Sequence, residues 1–297
     1  MIKDLNGIFP PIATPFDSDG ELLIGRFKEN LDRWGEYRLA GLTVLGSNGE
    51  SPYISDQEKL LLVREARSHI RGGKTMIVGS GRESTRLCIE FIRKVADLGA
   101  DLALVGTPCY FKARMTDEAL YAHFSGVADN SPIPILVYNV PQFTGVNTSA
   151  SLIERLSDHE NIAGMKDSSG NLPLQAEIRR RTPKRFRLLV GSAPTLMASM
   201  IQGACGGIVA IAGALPAESV ELYETFSAGD WKRAAELQER LSPPASAVTT
   251  TYGVPGLKAA MDLAGFYGGA PRLPLSPLSA QQRADVASIF RDAGFLQ

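Results

Sequence analysis

Short apolar runs recur along this chain about every 30 residues, most of them preceded by a stretch with helical periodicity. The runs fall at 7–14, 41–45, 75–78, 102–105, 133–138, 162–166, 187–190 and 206–210. The helical stretches lie near 24–38, 55–70, 83–98, 116–129, 149–156, 171–180 and 194–201. The runs do not alternate polar with apolar residues, which is the pattern of parallel strands covered on both faces. Eight strand–helix units in roughly 250 residues predict an α/β fold, a closed (β/α)8 TIM barrel. An open doubly wound sheet would carry a glycine fingerprint after its first strand, where this chain has Pro10-Pro11. A phosphate loop is absent too, since Gly73-Lys74-Thr75 has Ser68 where the first glycine belongs.

Beyond the eighth run the sequence predicts helices near 216–241, 254–265 and 279–293, separated by Pro243-Pro244, Gly268-Gly269-Ala270-Pro271 and Pro274-Leu275-Ser276-Pro277. That is too much helix for one closing unit. The expected organisation is a catalytic barrel over 1–214 and a C-terminal helical extension over 215–297 packed on it.

Reactive groups of such a barrel sit at the C-terminal ends of its strands. There the chain places Gly46-Ser47-Asn48-Gly49-Glu50, Gly79-Ser80-Gly81, Thr107-Pro108-Cys109-Tyr110, Tyr138-Asn139-Val140-Pro141, Lys166-Asp167-Ser168, Gly191-Ser192 and Ala210-Ile211-Ala212-Gly213. Lys166 is the most constraining of these. An ammonium at the inner end of a buried strand loses its solvation, which favours the neutral amine, and a neutral amine can form a Schiff base. The alternative is a salt bridge to Asp167 or another carboxylate at the mouth. Tyr138 ends a strand, where its hydroxyl serves either proton transfer or the satisfaction of the core. Asn48-Gly49 is a turn, and with Ser47 before it a candidate anion-binding nest. Tyr110 reads first as a loop aromatic.

Other chemistries lack their residues. His69, His123 and His159 form no HxH, HxxxH or HExxH pattern, and no metal is expected. Asp17-Ser18-Asp19-Gly20 has Lys28, not Glu, at the twelfth position of a calcium loop. No Gly-x-Ser-x-Gly elbow occurs. Cys88, Cys109 and Cys205 are odd in number and widely spaced, as in a reduced intracellular protein. A formal net charge of −1 predicts no nucleic-acid or anionic-membrane partner, and Arg179-Arg180-Arg181 reads as the solvated end of a helix. No apolar run reaches the ~20 residues of a membrane span, and Met1-Ile2-Lys3-Asp4 opens without a leader pattern, so the cytoplasm is expected.

From Gly7 to about Leu278 the chain resembles the class I pyruvate-dependent aldolases that include dihydrodipicolinate synthase and N-acetylneuraminate lyase. The GSNGE, YNVP and GMKDSSG stretches carry the resemblance, in the family's order and spacing. Within it, the SNGE, TPCY, GMKDSSG, GSA, PGLKAAMD and YGG stretches are most similar to 4-hydroxy-2-oxoglutarate aldolase. The resemblance implies that Lys166 forms the imine with a 2-oxo acid such as pyruvate, with no other cofactor. It implies that Tyr138 is the acid/base, that Ser47, Tyr110 and Tyr138 form a proton relay, and that Ser47 and Asn48 hold the substrate carboxylate through backbone N–H groups. Ser168, Gly191 and Ile208 complete the expected substrate-binding set. The family's equivalent of Tyr110 crosses into a neighbouring subunit, which implies a homotetramer built as a dimer of dimers. One departure stands out: Phe143 occupies the place of an arginine that binds the semialdehyde carboxylate in the synthases, and phenylalanine has no donor. The expected reaction is cleavage of 4-hydroxy-2-oxoglutarate to pyruvate and glyoxylate. The alternatives are condensation of pyruvate with aspartate semialdehyde, a sugar-acid aldolase, and a silent barrel that only binds a 2-oxo acid.

Overall fold

The computed structural model describes residues 4–70 and 73–296. The leader expectation read from Met1–Lys3 lies outside the described residues. In chain order the elements are β1 (Gly7–Ile8), α1 (Ile24–Gly35), β2 (Gly41–Val44), α2 (Asp56–His69), β3 (Thr75–Gly79), α3 (Thr85–Asp97), β4 (Leu102–Gly106) and α4 (Asp117–Asn130). They continue with β5 (Ile135–Asn139), the single turn α5 (Pro141–Thr144), α6 (Ala150–Ser157), β6 (Ile162–Asp167), α7 (Leu172–Arg181), β7 (Arg187–Val190), α8 (Leu196–Ile201) and β8 (Gly206–Gly207). The C-terminal helices are α9 (Pro216–Ser227), α10 (Trp231–Ser246), α11 (Gly253–Leu263) and α12 (Ala280–Asp292).

All eight strands are parallel and hydrogen-bond in the order β1-β8-β7-β6-β5-β4-β3-β2. The TIM barrel closes where Thr43 N–H donates to Pro10 O (2.9 Å) and Ile12 N–H to Thr43 O (3.0 Å). The expected first strand, 7–14, is thus a two-residue ladder followed by proline-broken bridging, because Pro10 and Pro11 have no N–H to give.

Two packed clusters follow from strand alternation. Phe9, Ile77, Leu104, Leu136, Leu189 and Ile208 fill the barrel interior. The outward residues meet the helices in a larger cluster that also takes in Leu237, Leu257 and Phe290, so the C-terminal helices share the outer core.

The C-terminal region differs from expectation in two places. The stretch 216–241 is two helices, because Gly229 adopts a left-handed φ of 86° and Asp230 caps the second by accepting from Arg233 N–H at 3.1 Å. Pro243 and Pro244, expected as a separator, lie inside α10. Proline removes a helical hydrogen bond and crowds the preceding turn, and here a π-helical segment, Ala247–Thr251, follows directly. Among the described residues no helix is long and apolar enough to cross a membrane.

Candidate active site

Lys166 faces the barrel interior because a bulge absorbs one extra residue in β6. Ile135 pairs with Ile162 but Leu136 pairs with Gly164, so Ala163 and Gly164 together oppose one residue of β5. Without this bulge, alternation from the inward Ala163 would put Lys166 on the outer face. With it, Met165 faces the helices while Tyr138 and Lys166 lie side by side on the inner face. Gly164 has to be glycine, since a Cβ there would stand 2.0 Å from Arg187 O.

Lys166 is 3% exposed, and among the described residues it has no ion pair. Asp167, the nearest candidate in sequence, is on the opposite face of the strand, where neutral groups hold it. The lysine's Nζ lies 4.3 Å from the centre of the Tyr138 ring. The Tyr138 hydroxyl in turn stands 3.4 Å from Ser47 Oγ. A chain of three groups, amine, phenol and alcohol, therefore runs across the mouth from β6 to the loop after β2.

That loop is a 3-10 turn over Ser47–Gly49. Its first N–H groups, those of Ser47 and Asn48, have no partner inside the turn and are free for an anion. The turn is fixed from behind. Thr14 Oγ1 donates to Gly49 O at 2.8 Å, and Glu50, in the left-handed region at φ 57°, sends its carboxylate into the interior. There Lys258 Nζ is 2.6 Å from one oxygen, and Arg272 N–H donates to the other at 2.7 Å. Both side chains of the pair are essentially fully buried.

Asn48, Lys166, Ser168, Gly191 and Ile208 all line one cavity of about 300 Å³ with Tyr138. Gly191 makes room for the lysine, because a Cβ there would lie 3.0 Å from Lys166 Cε and 1.8 Å from Ser168 Oγ. The far wall comes from Gln142 and Phe143, and from Thr249 and Thr250 of the π-helical segment. Lys166 is the one charged residue of that lining among the described residues. Tyr138 and Phe143 also line an adjoining cavity of about 400 Å³ that contains Ser47. Tyr110 is not brought to this cluster within one chain: it is 79% exposed and packs edge-on against Phe111 at 4.9 Å.

Rival nucleophiles are disfavoured by their surroundings. Burial pushes the Cys88 thiol up to about 11 and the Cys205 thiol to about 12, so neither is a thiolate at neutral pH. Among the described residues no group of three or more His, Cys, Asp or Glu side chains is placed to hold a metal ion.

Sequence reasoning missed three features of the site: the threonines of the π-helical segment, the Glu50–Lys258 pair and the outward role of Asp167. The second had a signal, a lone lysine in the apolar run Pro255-Gly256-Leu257-Lys258-Ala259-Ala260-Met261.

A family profile described as the Dihydrodipicolinate synthetase family matches residues 4–293. The chain is 34% identical over 282 residues to a 4-hydroxy-tetrahydrodipicolinate synthase of Exiguobacterium, covering 95% of this chain and 96% of that one. It is 35% identical to the protein of the same name from Archaeoglobus fulgidus, with 96% and 97% covered. Among solved structures it is similar to a dihydrodipicolinate synthase from Acinetobacter baumannii complexed with pyruvate, at a TM-score of 0.93, 28% identity and coverage of 99% and 100%. A dihydrodipicolinate synthase from Thermotoga maritima superimposes at a TM-score of 0.91 with 30% identity, covering 98% of this chain and 99% of that one.

Proposed function

The chain belongs to the dihydrodipicolinate synthetase family of pyruvate-dependent class I aldolases, and on that premise we propose that Lys166 forms the pyruvate imine and Tyr138 moves the proton of the aldol step. The enzymes of this family work through a lysine Schiff base and need no external cofactor. One observation carries the assignment to this lysine: it is buried without a counter-ion and lies 4.3 Å from the ring of a tyrosine whose hydroxyl meets Ser47.

The neutral amine of Lys166 adds to the C2 carbonyl of pyruvate, and the carbinolamine, given a proton by Tyr138, loses water to form an iminium. The iminium withdraws electrons, so a C3 proton passes to the Tyr138 phenolate and an enamine forms. Its C3 attacks the aldehyde carbon of the acceptor, and the new alkoxide takes a proton from Tyr138, relayed by Ser47. Water then hydrolyses the imine and frees Lys166. Cleavage is the same path in reverse. The N–H groups of Ser47 and Asn48 receive the pyruvate carboxylate.

Aspartate semialdehyde is the first acceptor to consider, because the curated relatives described above are named for the synthase reaction. Phe143, in the place of the synthases' arginine, favours a second reading, cleavage of 4-hydroxy-2-oxoglutarate, with the distal carboxylate against Ser168. Purified protein given each substrate in turn separates the two by turnover. Borohydride added with pyruvate tests what they share. A three-carbon adduct on Lys166 is expected, and an adduct on another lysine, or none, refutes the assignment.

Tyr110 enters the proposal as a residue lent by a second copy, in a tetramer of two dimers in the cytoplasm. The 79% and 70% exposure of adjacent Tyr110 and Phe111 supports this. Chains carrying Lys166→Ala and Tyr110→Phe should each be weak alone and regain activity when refolded together, since one site of each mixed dimer then has both groups. Failure of complementation removes Tyr110 from the relay. The barrel over 1–214 would carry the reaction, and 215–297 would close its mouth.

A further inference from the structure

The residue after each proposed catalytic group points to the outer side of the sheet, and there the two meet. Tyr138 pairs with Lys166 in the β5–β6 ladder, and Asn139 pairs with Asp167 one step on. Asn139 Nδ2 donates to Asp167 Oδ1 at 2.8 Å. Gln175 Nε2 of α7 and Ser169 Oγ both donate to Oδ2 at 2.8 Å, and Ser169 N–H donates to Oδ1 at 3.3 Å. The network extends at both ends. Ser199 Oγ of α8 donates to Gln175 Oε1 at 2.6 Å, while Thr148 N–H donates to Asn139 Oδ1 at 3.1 Å. Asn139, Asp167, Gln175 and Ser199 are all fully buried.

A carboxylate in this position is costly. Among the described residues it has no cationic partner, and four neutral donors satisfy it instead. Packing alone would be served as well by an apolar residue facing α7. The feature that the network adds is connection. It ties the ends of two neighbouring strands to each other and to α7 and α8, directly behind the two residues whose side chains must share a substrate.

We propose that Asp167 is a positioning residue, which through Asn139 and Gln175 locks Lys166 and Tyr138 into mutual register from the far side of the sheet. The role rests on Lys166 and Tyr138 acting as assigned above. A slip between the strand ends of even a fraction of an ångström would separate the imine carbon from the tyrosine hydroxyl. Imine formation needs only the lysine, whereas the aldol step needs both, so loosening the clamp should strike the second.

Two variants test this. In Asp167→Asn one amide donor must face another, and kcat is expected to fall about 10- to 100-fold while pyruvate still traps on Lys166 with borohydride at near wild-type yield. In the swap Asn139→Asp with Asp167→Asn, position 167 donates to 139, the Asn147 amide, whose oxygen now accepts from Asn139 at 2.8 Å, turns its N–H to the new carboxylate, and the cross-strand bond is restored with reversed polarity. The swap is expected to bring kcat back to within about 3-fold of wild type. Unchanged kcat in Asp167→Asn, a loss that only follows the folded fraction, or a swap that stays slow would each overturn the proposal. If Asp167→Asn does not fold, the kcat of the swap alone decides. Absence of a Lys166 adduct in the wild-type protein would instead refute the imine assignment, independently of the clamp.

Discussion

Lys166 and Lys258 are the most deeply buried lysines among the described residues, and they live in opposite electrostatic company. Lys258, on α11, is 1% exposed and has a carboxylate, the Ala270 carbonyl at 2.6 Å and the face of Phe16 around its ammonium. Lys166, on β6, is 3% exposed and has an aromatic face, that of Tyr138, but no carboxylate. Burial, aided by the charge of Arg272, pulls the Lys258 ammonium down, with Glu50 and Asp262 opposing it. The contrast teaches that burial does not mark a reactive lysine; the missing counter-ion does. Lys258 holds a loop in place, whereas Lys166 has no carboxylate beside it among the described residues.

Lys166→Met should have the largest effect on activity and the least on folding. Turnover is expected to fall by about 10⁴-fold or more, with the thermal midpoint unchanged or raised, because an unpaired buried amine is replaced by a thioether of similar volume. A melting curve and an assay on the same preparation check both halves. Tyr138→Phe keeps the ring over Lys166 and removes only the hydroxyl. It should lower kcat about 10²- to 10⁴-fold while borohydride still traps pyruvate on Lys166.

Lys258→Met is the mirror experiment. It leaves Glu50 buried without its cation, and breaking such a pair costs about 3–5 kcal/mol, measurable by denaturant unfolding. Adding Glu50→Gln should recover more than half of that loss, because no charge is then left uncompensated.

His123 extends the contrast to a weaker base and gives the smallest effect. Burial holds it down at about 4, against an ordinary value of 6.5, and its Nε2 has no partner. The unfolded chain therefore binds more protons between these values. The stability from this group is fully present above about 6.5 and is lost as pH falls through about 4, an effect on the order of 3 kcal/mol. His123→Gln should flatten that part of the stability–pH curve, and an unaltered slope would show that other groups set it.

The barrel was legible because each strand is a short apolar run and each helix an amphipathic one, so a single repeat could be counted. The placement of Lys166, Tyr138, Ser47 and Asn48 at the mouth was legible because strand ends locate it. Contacts between distant segments left no such trace. Nothing local in Thr249 and Thr250 says that two prolines upstream precede a π-helical turn and that these threonines line the same cavity as Lys166. Asp167 follows a lysine, and a salt bridge between neighbours is the natural first reading. Only the strand's alternation, seen in three dimensions, puts the two on opposite faces.

The doubled residue at Ala163–Gly164 makes reactivity a matter of parity. Which face Lys166 takes depends on whether the strand absorbs that extra residue in a bulge: with the bulge it stands opposite Tyr138, and without it alternation from Ile162 would turn it toward the surrounding helices. Deleting either residue would remove the bulge and keep Lys166 opposite Tyr138, whereas one residue inserted between Gly164 and Lys166 would turn the amine outward unless a second bulge absorbed it. Two barrels that share the same motif can therefore differ in whether they have an enzyme's chemistry at all, and grafting this lysine into another scaffold means carrying 162–167 whole.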